Sequence, residues 1–145
     1  MVGKVVSVNI SRDKGEKKHN VGQCMFIQDK GLKDDAHAGF MHRQVSLLST
    51  DSIAKIKDKG IDVGNGDFAE NLTTEGIELY TLPVGTKLKV GQGVILRISQ
   101  IGKECHKGCA IFQQVGDCVM PREGIFAEVL TEGEVKIGDE IEVMR

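Results

Sequence analysis

Short apolar segments separated by glycines most strongly limit how this chain can fold. In LPVGTKLKVGQGVILRISQIG, the alternating segments Lys87–Val90 and Val94–Gln100 lie on either side of a Gly-Gln-Gly turn. GIFAEVL and GEVKIGDEIEVMR repeat the pattern near the end of the chain. Alternation with a period of two is typical of strands that bury one face. The second half is therefore predicted to be almost entirely strand and turn.

The first half adds three strands and one clear helix. The strands are predicted from KVVSVNIS, CMFIQ and QVSLLS. The segment STDSIAKIKDKG predicts the helix, because Ser49 or Thr50 can cap it, Ile53 and Ile56 share a face, and Gly60 can end it. The pattern indicates a mostly β fold with one or two short helices. Closure into a complete or partial β-barrel would remove exposed strand edges.

Three polar segments connect these elements. Ser11–Asn20 carries mixed charges and is predicted to be a solvated turn, Gly31–Arg43 is predicted to be a loop, and Asp62–Gly76 is glycine-rich. Neither a linker nor a change of composition divides the 145 residues. We expect one domain, residues 1–145.

Composition and charge disfavour several classes of protein. The net charge is −2, and the chain has one Tyr, five Phe and no Trp, so neither a basic surface nor a base-stacking platform is indicated. No apolar run is long enough to span a bilayer, and the first residues lack the apolar core of a signal peptide. We therefore expect a cytoplasmic protein that contacts neither nucleic acid nor membrane. The oligomeric state is not indicated.

Three of the four cysteines lie in GKECHKGCAIFQQVGDC, from Gly102 to Cys118. Cys105, His106, Cys109 and Cys118 are ligand types that bind zinc, and three cysteines could also hold an iron–sulfur cluster. However, Cys118 has no second cysteine nearby, and adjacent Cys and His side chains rarely bind one metal together. A permanent disulfide is disfavoured in a reducing cytoplasm. These explanations, and a reactive thiolate, stay open.

Cys105 is the best candidate for a reactive thiolate. It follows the predicted strand LRISQIG, and its neighbours Lys103, His106 and Lys107 would lower the pKa of its thiol. Cys109 is close enough in sequence to act as a resolving thiol. Cys24, within a predicted strand, is interpreted as a packed and inert thiol.

Four segments resemble the MOSC family, which is named after the C-terminal part of molybdenum-cofactor sulfurases. They are DDAHAGFMHRQVSLLS, GDFAENLTTEGIELYTLPVGTKLKVG, ISQIGKECH and REGIFAEVLTEGEVKIGDEIEV, in the family's order, from about residue 34 to 144. The resemblance implies a small β-barrel similar to the one inserted in pyruvate kinase. It also implies sulfur handling through one cysteine, or binding of a molybdopterin-type cofactor. Cys105 matches the family cysteine, although Glu104 stands where proline usually precedes it.

The resemblance suggests a site around Cys105, with His106 beside it, that receives sulfur from a donor protein as a persulfide. The predicted ligand-binding residues are His37, His42, Arg43, Glu70, Asn71 and Arg122. Arg43 and Arg122 would each clamp a phosphate, such as that of molybdopterin. We expect the loop that carries His37, His42 and Arg43 to line the same barrel mouth as Cys105.

Plainer roles are also open for these residues. His37 could cap a turn, His42 and Arg43 could pair with Asp34 or Asp35 on the surface, and Asn71 could hold the glycine-rich turn by hydrogen-bonding to the backbone. In the functional alternative, Asn71 donates to a ligand oxygen and Glu70 orients a neighbouring His or Arg. Three functions therefore compete: sulfur transfer, a non-catalytic module that binds a molybdopterin-type or other anionic ligand, and a metalloprotein.

Overall fold

The computed structural model describes residues 2–13, 17–36, 38–39, 44–60, 62–102 and 123–144. In these ranges, each predicted strand and the predicted helix coincide with an observed element, whereas β2, β4 and β6 were not predicted. The elements in chain order are β1 (Val2–Ile10), β2 (His19–Asn20), β3 (Gln23–Ile27), β4 (Gly31–Leu32), β5 (Val45–Ser49), α1 (Thr50–Lys57), β6 (Leu72–Glu75), a 3₁₀ turn (Leu79–Thr81), β7 (Lys87–Val90), β8 (Val94–Ile101), β9 (Ile125–Thr131), β10 (Gly133–Lys136) and β11 (Glu140–Val143).

Seven strands close into a barrel in the order β11-β7-β8-β9-β5-β6-β1, and β1 pairs back with β11. The β5–β6 pair is parallel, and the other neighbouring pairs of the ring are antiparallel. Closure confirms the predicted β-barrel. The short β2 pairs with β1 outside the ring, and β10-β3-β4 form a separate three-stranded sheet.

Alternate strand residues fill the barrel with aliphatic side chains. Every strand of the ring contributes, and Phe26, Leu32 and Val135 of the smaller sheet join the same core. Burial of one such leucine or isoleucine contributes about 1.5–3 kcal/mol relative to exposure. The core therefore accounts for the alternation seen in the sequence.

A second apolar layer covers the outer face of β5 and β6. Leu48 follows the core residue Leu47, so its side chain points to the opposite face of the sheet. It is buried, as are Ile53 and Ile56 of α1 and Phe68 of the following loop. These residues lie outside the barrel core cluster. The helix therefore packs against the outside of the barrel.

Strand directions place the connecting segments at two ends of the barrel. At the end that we call the Asn71 end, β1 stops and both β5 and β6 begin. At the opposite end, the Glu123 end, β5 passes into α1, β8 stops and β9 begins. The five residues of β5 separate the two ends by about 16 Å.

Candidate functional site

The Asn71 end contains a fully buried ion pair. Lys18 Nζ donates to Asp35 Oδ1 at 2.8 Å and to Ser11 Oγ at 3.1 Å, and neither charged side chain is exposed. The prediction that Ser11–Asn20 is a solvated turn was therefore wrong for Lys18 and Ser11. The reason is tertiary: Asp35, 17 residues further along the chain, supplies the opposite charge that makes burial of the lysine tolerable.

Asp35 connects three parts of the chain. Its Oδ1 also accepts from the Ser11 N–H at 3.0 Å, and its Oδ2 accepts from Asn71 Nδ2 at 3.1 Å. Burial alone would raise the pKa of Asp35, but these hydrogen bonds and the Lys18 charge outweigh it and hold the pKa below its ordinary value. Asp35 therefore does not lie on the surface, as one of the sequence alternatives assumed. It is an ionised, internal residue.

Asn71 joins the starts of β5 and β6 to the end of β1. Its Oδ1 accepts from the Ser46 N–H at 2.9 Å, and its Nδ2 also donates to the Asn9 carbonyl at 3.1 Å. The backbone N–H of Asn71 donates to the Ser46 carbonyl at 2.9 Å. These contacts favour the role of holding the backbone. Contact between Asn71 and a ligand stays a prediction.

Glu70 is buried among backbone N–H groups. Its Oε2 accepts from the Gly66 N–H at 2.9 Å and from Thr73 Oγ1 at 2.7 Å, and its Oε1 accepts from the Phe68 N–H at 3.2 Å. Burial raises the pKa of Glu70, although the hydrogen bonds oppose this shift. The predicted orientation of a His or Arg by Glu70 stays untested.

The glycine-rich loop before Glu70 needs a glycine at position 66. Gly66 has a φ of +88°, and a Cβ added there would collide with the carbonyl oxygen of Lys18. The Lys18 N–H in turn donates to the Gly66 carbonyl at 2.8 Å. The loop thus packs directly against the segment that carries the buried lysine.

Most of the predicted site falls outside the described residues. This applies to the thiols and to the cationic side chains: His37, His42, Arg43, Cys105, His106, Cys109, Cys118 and Arg122. Their proposed grouping around Cys105 stays a prediction. Of the predicted site residues, the structure describes Glu70 and Asn71, and both belong to the Asn71 end.

The described neighbours of these residues show where each segment meets the barrel. The cysteine-bearing segment, residues 103–122, begins and ends at the Glu123 end, where the Gly102 N–H donates to the Gly124 carbonyl at 2.6 Å. The segment that carries the predicted histidines adjoins the Asn71 end, where the Ala36 N–H donates to the Ser11 carbonyl and Gln44 leads into β5. The two segments therefore meet the barrel at opposite ends of β5.

Glu123 is the first described residue after the cysteine-bearing segment. Its side chain is largely buried, and its carboxylate contacts α1. Ser52 Oγ donates to Oε1 at 2.6 Å, and Lys55 Nζ lies 2.7 Å from Oε2. This second polar cluster ties the start of β9 to the helix outside the barrel.

An open cleft of about 490 Å³ lies beside the first turn of α1 and the start of β1. Three carboxylates, those of Asp51, Glu75 and Glu140, line it together with one amine, that of Lys4. This balance of charge disfavours an anionic ligand in the cleft.

Within the described ranges, no group of three or more His, Cys, Asp or Glu residues is arranged to hold a metal ion. The predicted ligands Cys105, Cys109 and Cys118 lie outside these ranges. Within them, no helix has the length and apolar character needed to cross a membrane.

Cys24 has the properties of a packed thiol. It is half-buried, it is not in a disulfide, and its Sγ lies 3.5 Å from the Lys33 carbonyl oxygen. Burial raises the pKa of the Cys24 thiol, so little of it is ionised at neutral pH. This agrees with its interpretation from the sequence as inert.

Comparison with known proteins decides the family. The MOSC domain matches residues 34–142, about three quarters of the chain. The chain belongs to the MOSC domain family. No curated protein matches this MOSC chain.

Solved structures share its fold. The YuaD protein from Bacillus subtilis has a TM-score of 0.83 and 20% identity, over 99% of this MOSC chain and 96% of YuaD. YiiM from Geobacillus stearothermophilus has a TM-score of 0.73 and 19% identity, and the match covers 99% of this chain and 75% of that YiiM chain. YiiM from Escherichia coli has a TM-score of 0.70 and 17% identity, and the match covers 100% of this chain and 70% of that YiiM chain. At these identities the likeness establishes the fold.

Proposed function

We propose that this MOSC domain carries sulfur as a persulfide on Cys105, in the metabolism of the molybdenum cofactor. One observation carries the proposal: the MOSC match covers residues 34–142, a range that includes Cys105, the residue that the sequence resemblance aligns with the family cysteine. Cys105 lies three residues after Gly102, where β8 has just ended. Loops at the end of a rigid barrel are common places for reactive groups.

The transfer needs a thiolate and a donor persulfide, R–S–SH. The Cys105 thiolate attacks the outer sulfur of the donor, a new S–S bond forms, and the donor's S–S bond breaks. The donor leaves as the thiolate R–S⁻, so no external oxidant or reductant is needed. Lys103, His106 and Lys107 adjoin Cys105 in sequence and would favour its ionised form.

Cys109 supplies a route for release. Attack of its thiolate on the inner sulfur of the Cys105 persulfide would form a Cys105–Cys109 disulfide and expel hydrosulfide, HS⁻. A reducing cytoplasm, which we also propose as the setting, would restore both thiols. Cys109 is therefore proposed as the resolving thiol.

The described residues do not fit the phosphate of a molybdopterin cofactor. The cleft beside α1 carries three carboxylates against one amine, and the buried Lys18 is bound to Asp35. The phosphate clamps predicted from the sequence, Arg43 and Arg122, lie outside the described ranges. The proposal therefore routes no step through the cofactor and rests on the cysteine.

Incubation with a low-molecular-weight persulfide tests the proposal. Intact-mass spectrometry should show one added sulfur atom on Cys109→Ser, which lacks the resolving thiol, and on Cys24→Ser/Cys109→Ser, and none on Cys105→Ser. Cys24 is the matched control because burial keeps its thiol protonated. Sulfur retained by folded Cys105→Ser, or absent from folded Cys109→Ser, would reject the proposal.

Metal content must be measured on the same wild-type sample. Zinc or iron held by Cys105, Cys109 and Cys118 would compete for the same thiolates. Close to one equivalent of metal, with no sulfur uptake, would replace sulfur transfer by the metalloprotein hypothesis. Metal well below a tenth of an equivalent would remove that hypothesis.

A further inference from the structure

The turn at residues 65–68 contains the only asparagine of the chain that a glycine follows, Asn65. The other three asparagines precede larger apolar residues. The following residue matters because its backbone nitrogen can attack the side-chain amide of the asparagine. Glycine hinders this attack least, since it has no Cβ. Asn65–Gly66 is therefore the dipeptide of this chain that is most open to deamidation.

We propose that Asn65 is a deamidation site, and that the buried Glu70 side chain slows the reaction in the folded protein by holding the attacking nitrogen of Gly66. The modification needs neither a ligand nor a cysteine. It is therefore independent of the proposed sulfur transfer, and failure of either proposal leaves the other standing.

The reaction consumes water alone. The Gly66 nitrogen loses its proton to hydroxide and attacks Cγ of Asn65, so that an N–Cγ bond forms and the Cγ–Nδ2 bond breaks. Nδ2 takes a proton from water and leaves as ammonia, which restores the hydroxide. Water then opens the succinimide ring at either carbonyl. The product is aspartate or isoaspartate at position 65, and no oxidant or reductant takes part.

Solvent reaches the reacting side chain, but the attacking nitrogen is enclosed. Asn65 is exposed, whereas Gly66 is buried. The Gly66 N–H donates to Glu70 Oε2 at 2.9 Å, and the same oxygen accepts from Thr73 Oγ1 at 2.7 Å. Because Glu70 is wholly buried, water competes poorly for this contact. The hydrogen bond must break before the nitrogen can attack.

The rest of Gly66 is held as firmly as its nitrogen. Its carbonyl accepts from the Lys18 N–H at 2.8 Å and from the Ala69 N–H at 3.0 Å. Its φ of +88° and the close approach of the Lys18 carbonyl leave no room for a Cβ. The fold thus requires at position 66 the residue type that makes Asn65 reactive. These contacts also oppose the backbone rotation that ring closure needs.

Asp67 offers a matched control in the same turn. Its Oδ2 accepts from the Gly64 N–H at 2.8 Å, so it also holds a backbone donor of this loop. That donor is not the attacking nitrogen. Asp67→Ala therefore loosens the loop but leaves the hydrogen bond between Gly66 and Glu70 in place.

Incubation of the folded protein at one mildly alkaline pH tests the proposal. Peptide mass spectrometry measures the change in mass from amide to carboxyl at position 65. Glu70→Ala should deamidate about tenfold faster than wild type, because no buried hydrogen bond has to break, and Asp67→Ala within about twofold of wild type. Glu70→Gln keeps one oxygen acceptor, so its rate should lie between those of wild type and Glu70→Ala.

Two results would overturn the inference. One is an equal rate in wild type and folded Glu70→Ala, which would show that Glu70 gives no protection. The other is an equal acceleration in Asp67→Ala, which would show that any loosening of the loop has the same effect.

Hydrogen exchange, resolved by residue with NMR, follows the attacking nitrogen itself. The Gly66 N–H should exchange about tenfold faster in Glu70→Ala than in wild type, and at close to the wild-type rate in Asp67→Ala. Faster deamidation of Glu70→Ala with unchanged exchange at Gly66 would mean that Glu70 acts in another way. The proposed role of Glu70 would then be wrong.

If Glu70→Ala does not fold, wild type and Glu70→Gln decide instead. Wild-type Asn65 should deamidate at least about tenfold faster in guanidinium chloride, where the chain is unfolded, than in the folded protein. Equal rates in the two states would show that the fold does not protect Asn65. A rate in folded Glu70→Gln no greater than in wild type would remove Glu70 as the protecting group.

Discussion

The two ends of the barrel carry polar clusters of different kinds. At the Asn71 end, Lys18 and Asp35 are wholly buried, and the network reaches β1, β5 and β6. At the Glu123 end, Lys55 is 52% exposed, and the carboxylate it contacts adjoins the cysteine-bearing segment. Shifted pKa values mark reactive groups and internal ion pairs alike. The Asn71 end therefore carries a fully buried ion pair that holds the barrel together, whereas the Glu123 end carries a half-exposed pair between α1 and the start of β9.

Removal of the buried cation should have the largest effect on stability. Lys18→Met removes the buried ammonium that Asp35 contacts at 2.8 Å, which should cost about 3–5 kcal/mol of unfolding free energy. Lys136→Met, which removes the pair with Asp139 and is 58% exposed, should cost less than about 1 kcal/mol. Urea denaturation of the two variants measures both values.

A double variant sharpens this prediction. In Lys18→Met/Asp35→Asn the buried carboxylate charge is removed together with the lysine, so the double variant should be more stable than Lys18→Met alone. A cost for Lys18→Met no greater than that for Lys136→Met would show that the Asn71 end does not depend on the Lys18 charge. The contrast between the two ends would then disappear.

A fall in pH should change the contributions of Asp35 and Glu70 to the free energy of unfolding in opposite directions. The folded pKa of Asp35 is lowered, so its contribution to stability is full above the unfolded pKa of about 3.9 and is lost as the pH falls through the folded pKa. The folded pKa of Glu70 is raised by burial, so its contribution is full below about 4.3 and is lost as the pH rises through the folded pKa.

Unfolding free energies measured from acid to neutral pH check these signs. In Asp35→Asn the unfolding free energy should fall less in acid than it does in wild type. In Glu70→Gln it should fall less as the pH rises towards neutral. If Asp35→Asn lost stability in acid as steeply as wild type, the ion pair would not be the group that acid disrupts.

The barrel was predictable because its signal is local. Strands such as β7 and β8 alternate apolar and polar residues, and the closed sheet buries those same apolar faces. β6 was missed because two of its four residues, Thr73 and Thr74, are polar yet buried. A buried threonine does not differ in sequence from a threonine in a loop.

The buried charge and the contact of Glu123 with α1 were not predictable, since the partners are distant in sequence. Lys18 stands among charged residues, and nothing local indicates that Asp35 will enclose it. Glu123 likewise meets Ser52, 71 residues earlier, and only the fold brings the two together. Cys105 stays a prediction, which rests on the clustering of thiols and the family pattern, both visible in the sequence.

Removal of the half-exposed cation should have the smallest effect. Lys55→Met loses the contact with Glu123 Oε2 and a cation–π contact with the Tyr80 ring, whose centroid lies 5.7 Å away. Because water reaches the lysine and Ser52 still binds the carboxylate, the cost should stay below about 1 kcal/mol in urea denaturation. A cost equal to that of Lys18→Met would mean that Glu123 depends on its cation as fully as Asp35 does. The polar clusters at the two barrel ends would then depend equally on their cations, and the difference in burial between Lys18 and Lys55 would not decide the cost.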